Sequence, residues 1–157
     1  VPTAEPPPPP PTDAGPLVVV LGALVVDRRL LLVHRRPDKA AFPDVWDLPG
    51  GVVEAGETER EALARELREE LGIRVETPHA GGPVHLGHWR VAPAGDSVLL
   101  SAWLVSRWHG TPTNAAPDEH DGLEWFALGR LPPAPHPPSR AALVQALEAS
   151  EASEGRR

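Results

Sequence analysis

Apolar residues follow two different spacings along this chain, and the changes between them mark out the elements. Residues 17–26 (LVVVLGALVV) and 30–34 (LLLVH) are β-branched and leucine-rich runs of strand length, separated by the turn-like pair Asp27 and Arg28. They predict two neighbouring strands joined by a short turn. Between Glu59 and Leu71 the spacing changes. Leu63, Leu67 and Leu71 recur every four residues and fall on one stripe of a helix. That helix has a start signal, a capping box of Thr58 with Glu61, and a stop signal, Gly72, where a left-handed cap is wanted. The polar loop RRPDKAAFPD precedes VWDLPGG, where Pro49 and two glycines should stop any regular element. Further on, IRVET, VHLGHWRV and SVLLSAWLVSRW read as three strands separated by Pro/Gly-rich turns, and LEWFAL (123–128) as a sixth strand. LPPAPHPPSR breaks the chain, and RAALVQALEA closes it with an amphipathic helix. Mixed strands around an early and a late helix predict an α+β domain, a sheet held between helices.

Composition sets the limits of this domain. The 157 residues suffice for one core. Residues 1–16 are mostly proline and lack the apolar side chains to offset the entropy of ordering, so they predict a disordered tail or a docking segment for a proline-binding partner. The domain is expected over 17–149, with 150–157 a flexible tail. The most apolar run has ten residues, too few to cross a bilayer. There is no cysteine, which excludes disulfides and thiolate metal sites and fits a cytoplasmic protein. A net charge of -7 argues against a nucleic-acid binder, which needs clustered Lys and Arg.

The early helix poses a chemical question. Glu66, Glu69 and Glu70 lie on the stripe beside the leucines, at the edge of the core. Two carboxylates 5–6 Å apart at an effective dielectric near 20 repel by about 3 kcal/mol. An ordinary charged face laced by Arg60, Arg65 and Arg68 is one reading. A divalent cation between the carboxylates is the other, and magnesium, a hard ion with oxygen ligands, suits them.

Context decides between the two. Gly51, Glu57, the run Arg65-Glu66-Leu67, the pair Glu69-Glu70 and the pair Gly72-Ile73 resemble, without a gap in their spacing, the Nudix box, the signature of the Nudix hydrolases. The preceding WDLPGG and the later NAAPDEHDGLEWFALGRLP also resemble that family. The resemblance implies an α/β/α sandwich with a mixed sheet. It also implies hydrolysis of a nucleoside diphosphate linked to another group X, by water activated with Mg2+ (Mn2+ as a substitute). Carried onto this chain, Glu66, Glu69 and Glu70 are metal ligands, joined by the Gly51 carbonyl. Glu57 supports the loop or the metal's waters, and Arg65 orients Glu66 or Glu69. The general base is Glu66, Glu69 or a loop carboxylate, for which Glu119 is favoured over Glu124; Glu119 also stands as a metal ligand.

Around this set, Arg35 or Arg36 is expected to hold a phosphate, Phe42 to stack on a base, and Trp46 to belong to the core. Asn114 and His120 are expected near the substrate mouth, Asn114 as a binding residue. His85 and His88 are three apart on a strand and should face opposite sides, which disfavours them as a metal pair. Among Nudix substrates, a nucleoside triphosphate cleaved to monophosphate and pyrophosphate suits the short chain best. ADP-ribose or a nucleotide-sugar is the alternative, and a catalytically silent binding domain is another. Pro135 and His136 stand where the bacterial mutator-type enzyme has a guanine-reading Asn, which argues against oxidised guanine. The absence of tyrosine argues against dinucleoside polyphosphates.

Overall fold

The computed structural model describes residues 17–40, 42–76, 82–92 and 97–154; the proline-rich segment 1–16 lies outside the described residues. Strand β1 (Leu17–Val26) turns through Asp27 and Arg28 into β2 (Arg29–Arg35). Both turn residues have positive φ, 51° and 59°, which matches the twist of a two-residue hairpin. After β2 come β3 (Trp46–Asp47), β4 (Gly50–Val52), helix α1 (Glu59–Leu71), β5 (Arg74–Val75), β6 (Val84–Val91), β7 (Val98–Val105), β8 (Trp108–His109), β9 (His120–Ala127) and helix α2 (Pro137–Glu154).

The main sheet is mixed. Its path runs β3-β2-β1-β7-β6, with β4 also paired to β1 and β9 to β2. Strand β1 lies parallel to β7, while its partners β2 and β4 are antiparallel. Strands β5 and β8 form a separate two-stranded ribbon. Each face of the sheet carries a helix. On one face Leu63, Leu67 and Leu71 of α1, all fully buried, pack with Val20, Leu24, Leu31 and Trp103. On the other, Leu143 and Leu147 of α2 pack with Ala23, Leu30, Leu32 and Leu104. Alternate residues of β2 thus serve opposite cores, so its apolar run is unbroken. Each buried leucine contributes about 2 kcal/mol by area, which outweighs the charge crowding along the neighbouring stripe of α1.

The capping box forms as expected. Glu61 N–H donates to Thr58 Oγ1 at 3.1 Å and Thr58 N–H to Glu61 Oε1 at 3.3 Å. Gly72 closes the helix at φ 71°, a left-handed conformation that L side chains adopt only with strain.

Four expectations need correction. The VWDLPGG segment does not stop regular structure, because β4 pairs with β1 through Val20 opposite Gly51. Strand 97–108 ends at Val105, and its last part forms β8. Helix α2 begins at Pro137, earlier than Arg140 where the closing helix was expected, and runs to Glu154. Proline is accepted in a first helical turn, where its missing N–H would have had no partner. Finally, β6 contains a bulge between His85 and Gly87. His85 and His88 therefore oppose Trp103 and Ser101, two apart on β7, and they share a face. No helix among the described residues is long and apolar enough to cross a membrane.

Candidate active site

Strand β4 and helix α1 together bring the acidic residues to one cavity of about 640 Å3. Gly51 lets the two elements approach: a Cβ there would fall 2.4 Å from the Glu66 carboxylate. Behind that contact, Glu70 is buried, and its Oε2 accepts from Gly50 N–H at 3.0 Å. Arg65 organises the front. Its Nε and Nη2 donate to the two oxygens of Glu57 at 2.8 and 3.0 Å. Its Nη1 reaches Glu66 at 2.9 Å and Glu69 at 3.3 Å, and Nη2 also donates to the Val52 carbonyl at 3.0 Å. One guanidinium thus ties the loop before the helix to two of the three helical glutamates.

Protonation follows from these contacts. Arg65 holds the Glu57 carboxyl down at about 2, helped by backbone hydrogen bonding within its loop. Burial raises Glu66 above its ordinary value; Arg65 opposes this, and the charges of Glu69 and Glu119 add to it. Burial pushes Glu70 up to about 8 against the Gly50 N–H, and the charges of Glu66 and Glu119 reinforce the rise. Carboxylates set this closely are costly in their ionised form, and cations among them would remove the cost. The donor set, all oxygen and anionic, fits a hard divalent ion.

Other expected residues divide into two groups. Glu119, Arg35, Phe42 and His120 line the cavity, and Arg35 Nη1 lies 3.8 Å from Glu119 Oε2. Arg36, Asn114 and Glu124 do not line it. Arg36 turns instead to Asp38 at 3.2 Å and the Pro117 carbonyl at 3.4 Å. Asn114 Nδ2 donates to the His120 carbonyl at 2.7 Å, bracing the start of β9. Exposed Glu124 stands opposite Leu32 within the sheet. Trp46 joins the α2-side core, edge-on to Phe126 with ring centroids 5.1 Å apart.

The cavity also contains residues that sequence reasoning missed. Asp47 lines it with its carboxyl raised by burial, alongside Ser139 and Arg140 of α2. Arg140 donates to the carbonyls of Pro132 and Trp46 at 3.1 and 3.4 Å. Pro135 and His136 complete this wall. Leu48, Trp89, Leu100, Ala102 and Leu143 supply apolar surface. No motif spacing marks Arg140, which follows a proline-rich break. Only the folding of α2 across the sheet brings it here.

A family model described as the NUDIX domain matches residues 16–147. The chain is 34% identical over 123 residues to the CTP pyrophosphohydrolase of Escherichia coli K12, covering 78% of this chain and 85% of that protein. It is 28% identical over 131 residues to the 8-oxo-dGTP diphosphatase of the same organism, covering 82% and 93%. The crystal structure of a MutT NUDIX hydrolase from Burkholderia pseudomallei superposes with a TM-score of 0.71 at 35% identity, covering 82% of this chain and 95% of that one. With its family model spanning residues 16–147 and a relative matched along most of both chains, the protein belongs to the Nudix hydrolase family.

Proposed function

We propose that the protein hydrolyses a nucleoside triphosphate to the monophosphate and pyrophosphate, with magnesium held by Glu66, Glu69, Glu70 and Glu119 and by the Gly51 carbonyl. The observation that carries this reading is the mixed lining of one cavity. Five glutamates (Glu54, Glu66, Glu69, Glu70 and Glu119) and Arg35 line it. Apolar side chains with Asp47, Ser139 and Arg140 share that lining. A nucleotide has the matching polarity, a polyanion joined to a flat base with polar edges. The names of the relatives, acting on CTP and 8-oxo-dGTP, support a triphosphate over ADP-ribose. Pro135 and His136 in the cavity lining, in place of a guanine-reading Asn, favour a base other than oxidised guanine.

Bound among these carboxylates, magnesium would neutralise the phosphate oxygens and lower the pKa of an attacking water. The chain's own groups do the rest. Arg65 fixes Glu57 and Glu66, so neither swings as charge builds on the phosphate. Arg35, at the cavity wall, would hold a phosphate oxygen. Water oxygen attacks phosphorus, the bridging P–O bond breaks, and pyrophosphate leaves. The water's proton passes to a carboxylate. Glu66 and Glu70 are held by short hydrogen bonds of 2.9 and 3.0 Å. Among the described residues Glu69 and Glu119 are held by the longer contacts of 3.3 and 3.8 Å, so an oxygen of either that the ion does not take can accept it. Phe42, exposed and lining the cavity, would cover the base.

The experiment is a panel of nucleoside triphosphates, ADP-ribose and dinucleotides with magnesium, products separated by ion exchange. Monophosphate and pyrophosphate in equal amounts are expected, with Glu69→Gln slower by about 100-fold or more. Turnover of ADP-ribose alone would move the substrate. No turnover, with wild type matching Glu69→Gln, would leave a binding domain.

A further inference from the structure

At the opposite end of α1 from the glutamates, three side chains with metal-binding chemistry meet. The β6 bulge puts His85 and His88 on one face, with ring centroids 4.2 Å apart. His88 Nε2 lies 3.5 Å from Glu59 Oε2. One donor atom from each of Glu59, His85 and His88 lies within 4.8 Å of the other two. In a tetrahedral site with metal–ligand bonds near 2.1 Å, donors stand about 3.4 Å apart. Small side-chain rotations close the difference.

These ligands are held from behind. The Ser101 hydroxyl donates to Glu59 Oε1, and Trp103 Nε1 donates to the same oxygen at 3.2 Å. His85 Nε2 lies 3.0 Å from Ser101 Oγ, so one fully buried serine orients both Glu59 and His85. Outer partners of this kind fix metal ligands before the ion arrives. Burial would raise Glu59, but hydrogen bonds from Ser101, Trp103 and His88 bring it below its ordinary value, and it is ionised at neutral pH. Burial and then His88 lower His85, which keeps its imidazole neutral with a lone pair to give.

We propose that Glu59, His85 and His88 form a second cation site, for a borderline transition ion such as zinc and not for magnesium. Two imidazoles with one carboxylate suit zinc, and magnesium strongly prefers oxygen. With three protein ligands, the remaining coordination is left to water. None of the three residues lines the acidic cavity, and Glu59 precedes Glu66 by two turns, about 10 Å along the helix. The ion would tie β6, at the sheet's edge, to the first turn of α1. This proposal stands whether or not the triphosphate reading holds.

The test is calorimetric titration of zinc into metal-stripped Glu66→Gln/Glu70→Gln protein in excess magnesium, with imidazole NMR resonances recorded alongside. One zinc per chain is expected, with the His85 and His88 resonances shifting while those of His34 and His109 stay in place. His85→Ala/His88→Ala in that background should weaken binding by more than about tenfold, and Ser101→Ala by about tenfold. Should the background variant not fold, the same titration and NMR readout on wild-type protein in excess magnesium decides the matter. Failure of His85 and His88 to shift, or zinc binding that the His85→Ala/His88→Ala change leaves intact, would overturn the proposal.

Discussion

Glu70 shows how one side chain can set the stability of the empty enzyme. Its folded pKa of about 8 lies above the ordinary value near 4.3, so folding without metal takes up a proton. The stability this brings is fully present below about pH 4 and is lost as pH rises through about 8. Metal-stripped wild type should therefore weaken between pH 5 and about 8.5, by an amount on the order of a few kcal/mol. Glu70→Gln keeps an oxygen for the Gly50 N–H and should flatten much of that decline, as urea midpoints in EDTA would show. Equal slopes for both proteins would mean that Glu70 ionises freely. The glutamates were legible in the sequence because their spacing is a motif. Asp47 and Arg140 were not, since each depends on a neighbour distant in sequence. Arg36 and Asn114 fared worst, because adjacency in the chain says nothing of which way a loop side chain turns.

Among the elements, α1 was the easiest to read: the leucine stripe, the capping box and Gly72 all point to the same boundaries. Strand β4 was harder, because a Pro-Gly-Gly run is a breaker on local grounds and becomes a strand only when β1 pairs with it. The role of Gly51 belongs to this contact. In Gly51→Ala the new methyl group would meet the flexible end of Glu66 and not a backbone atom, so the carboxylate moves and the fold survives. The expected result is a magnesium affinity lower by about tenfold or more with a melting temperature in EDTA close to wild type. Magnesium affinity equal to wild type would show that the carboxylate's position is not set by this contact. The β6 bulge was invisible for a related reason. Alternation assumes one residue opposite one, and nothing in VHLGHWRV announces the extra residue that brings the two histidines together.

For the molecule as a whole, an acidic cavity that takes up cations would couple their binding to folding. An ion that binds only the assembled carboxylates stabilises the fold by about 2.7 kcal/mol at one hundred times its Kd. Magnesium should accordingly raise the melting temperature of wild type, and Glu66→Gln/Glu70→Gln should lose most of that gain. Equal shifts in thermal scans of the two proteins would place the stabilising ion elsewhere. The parallel pairing at the centre of the sheet carries a further consequence. Leu17 aligns with Val98 and Leu24 with Val105, so this ladder closes a loop of about eighty residues. Gly51, Arg65 and every glutamate of α1 lie inside that loop, while Glu119 and Arg140 lie beyond it. A nascent chain can thus coil its acidic helix early, yet it has no hydrolytic centre until strands from two remote stretches have zipped side by side and the remainder has folded over them.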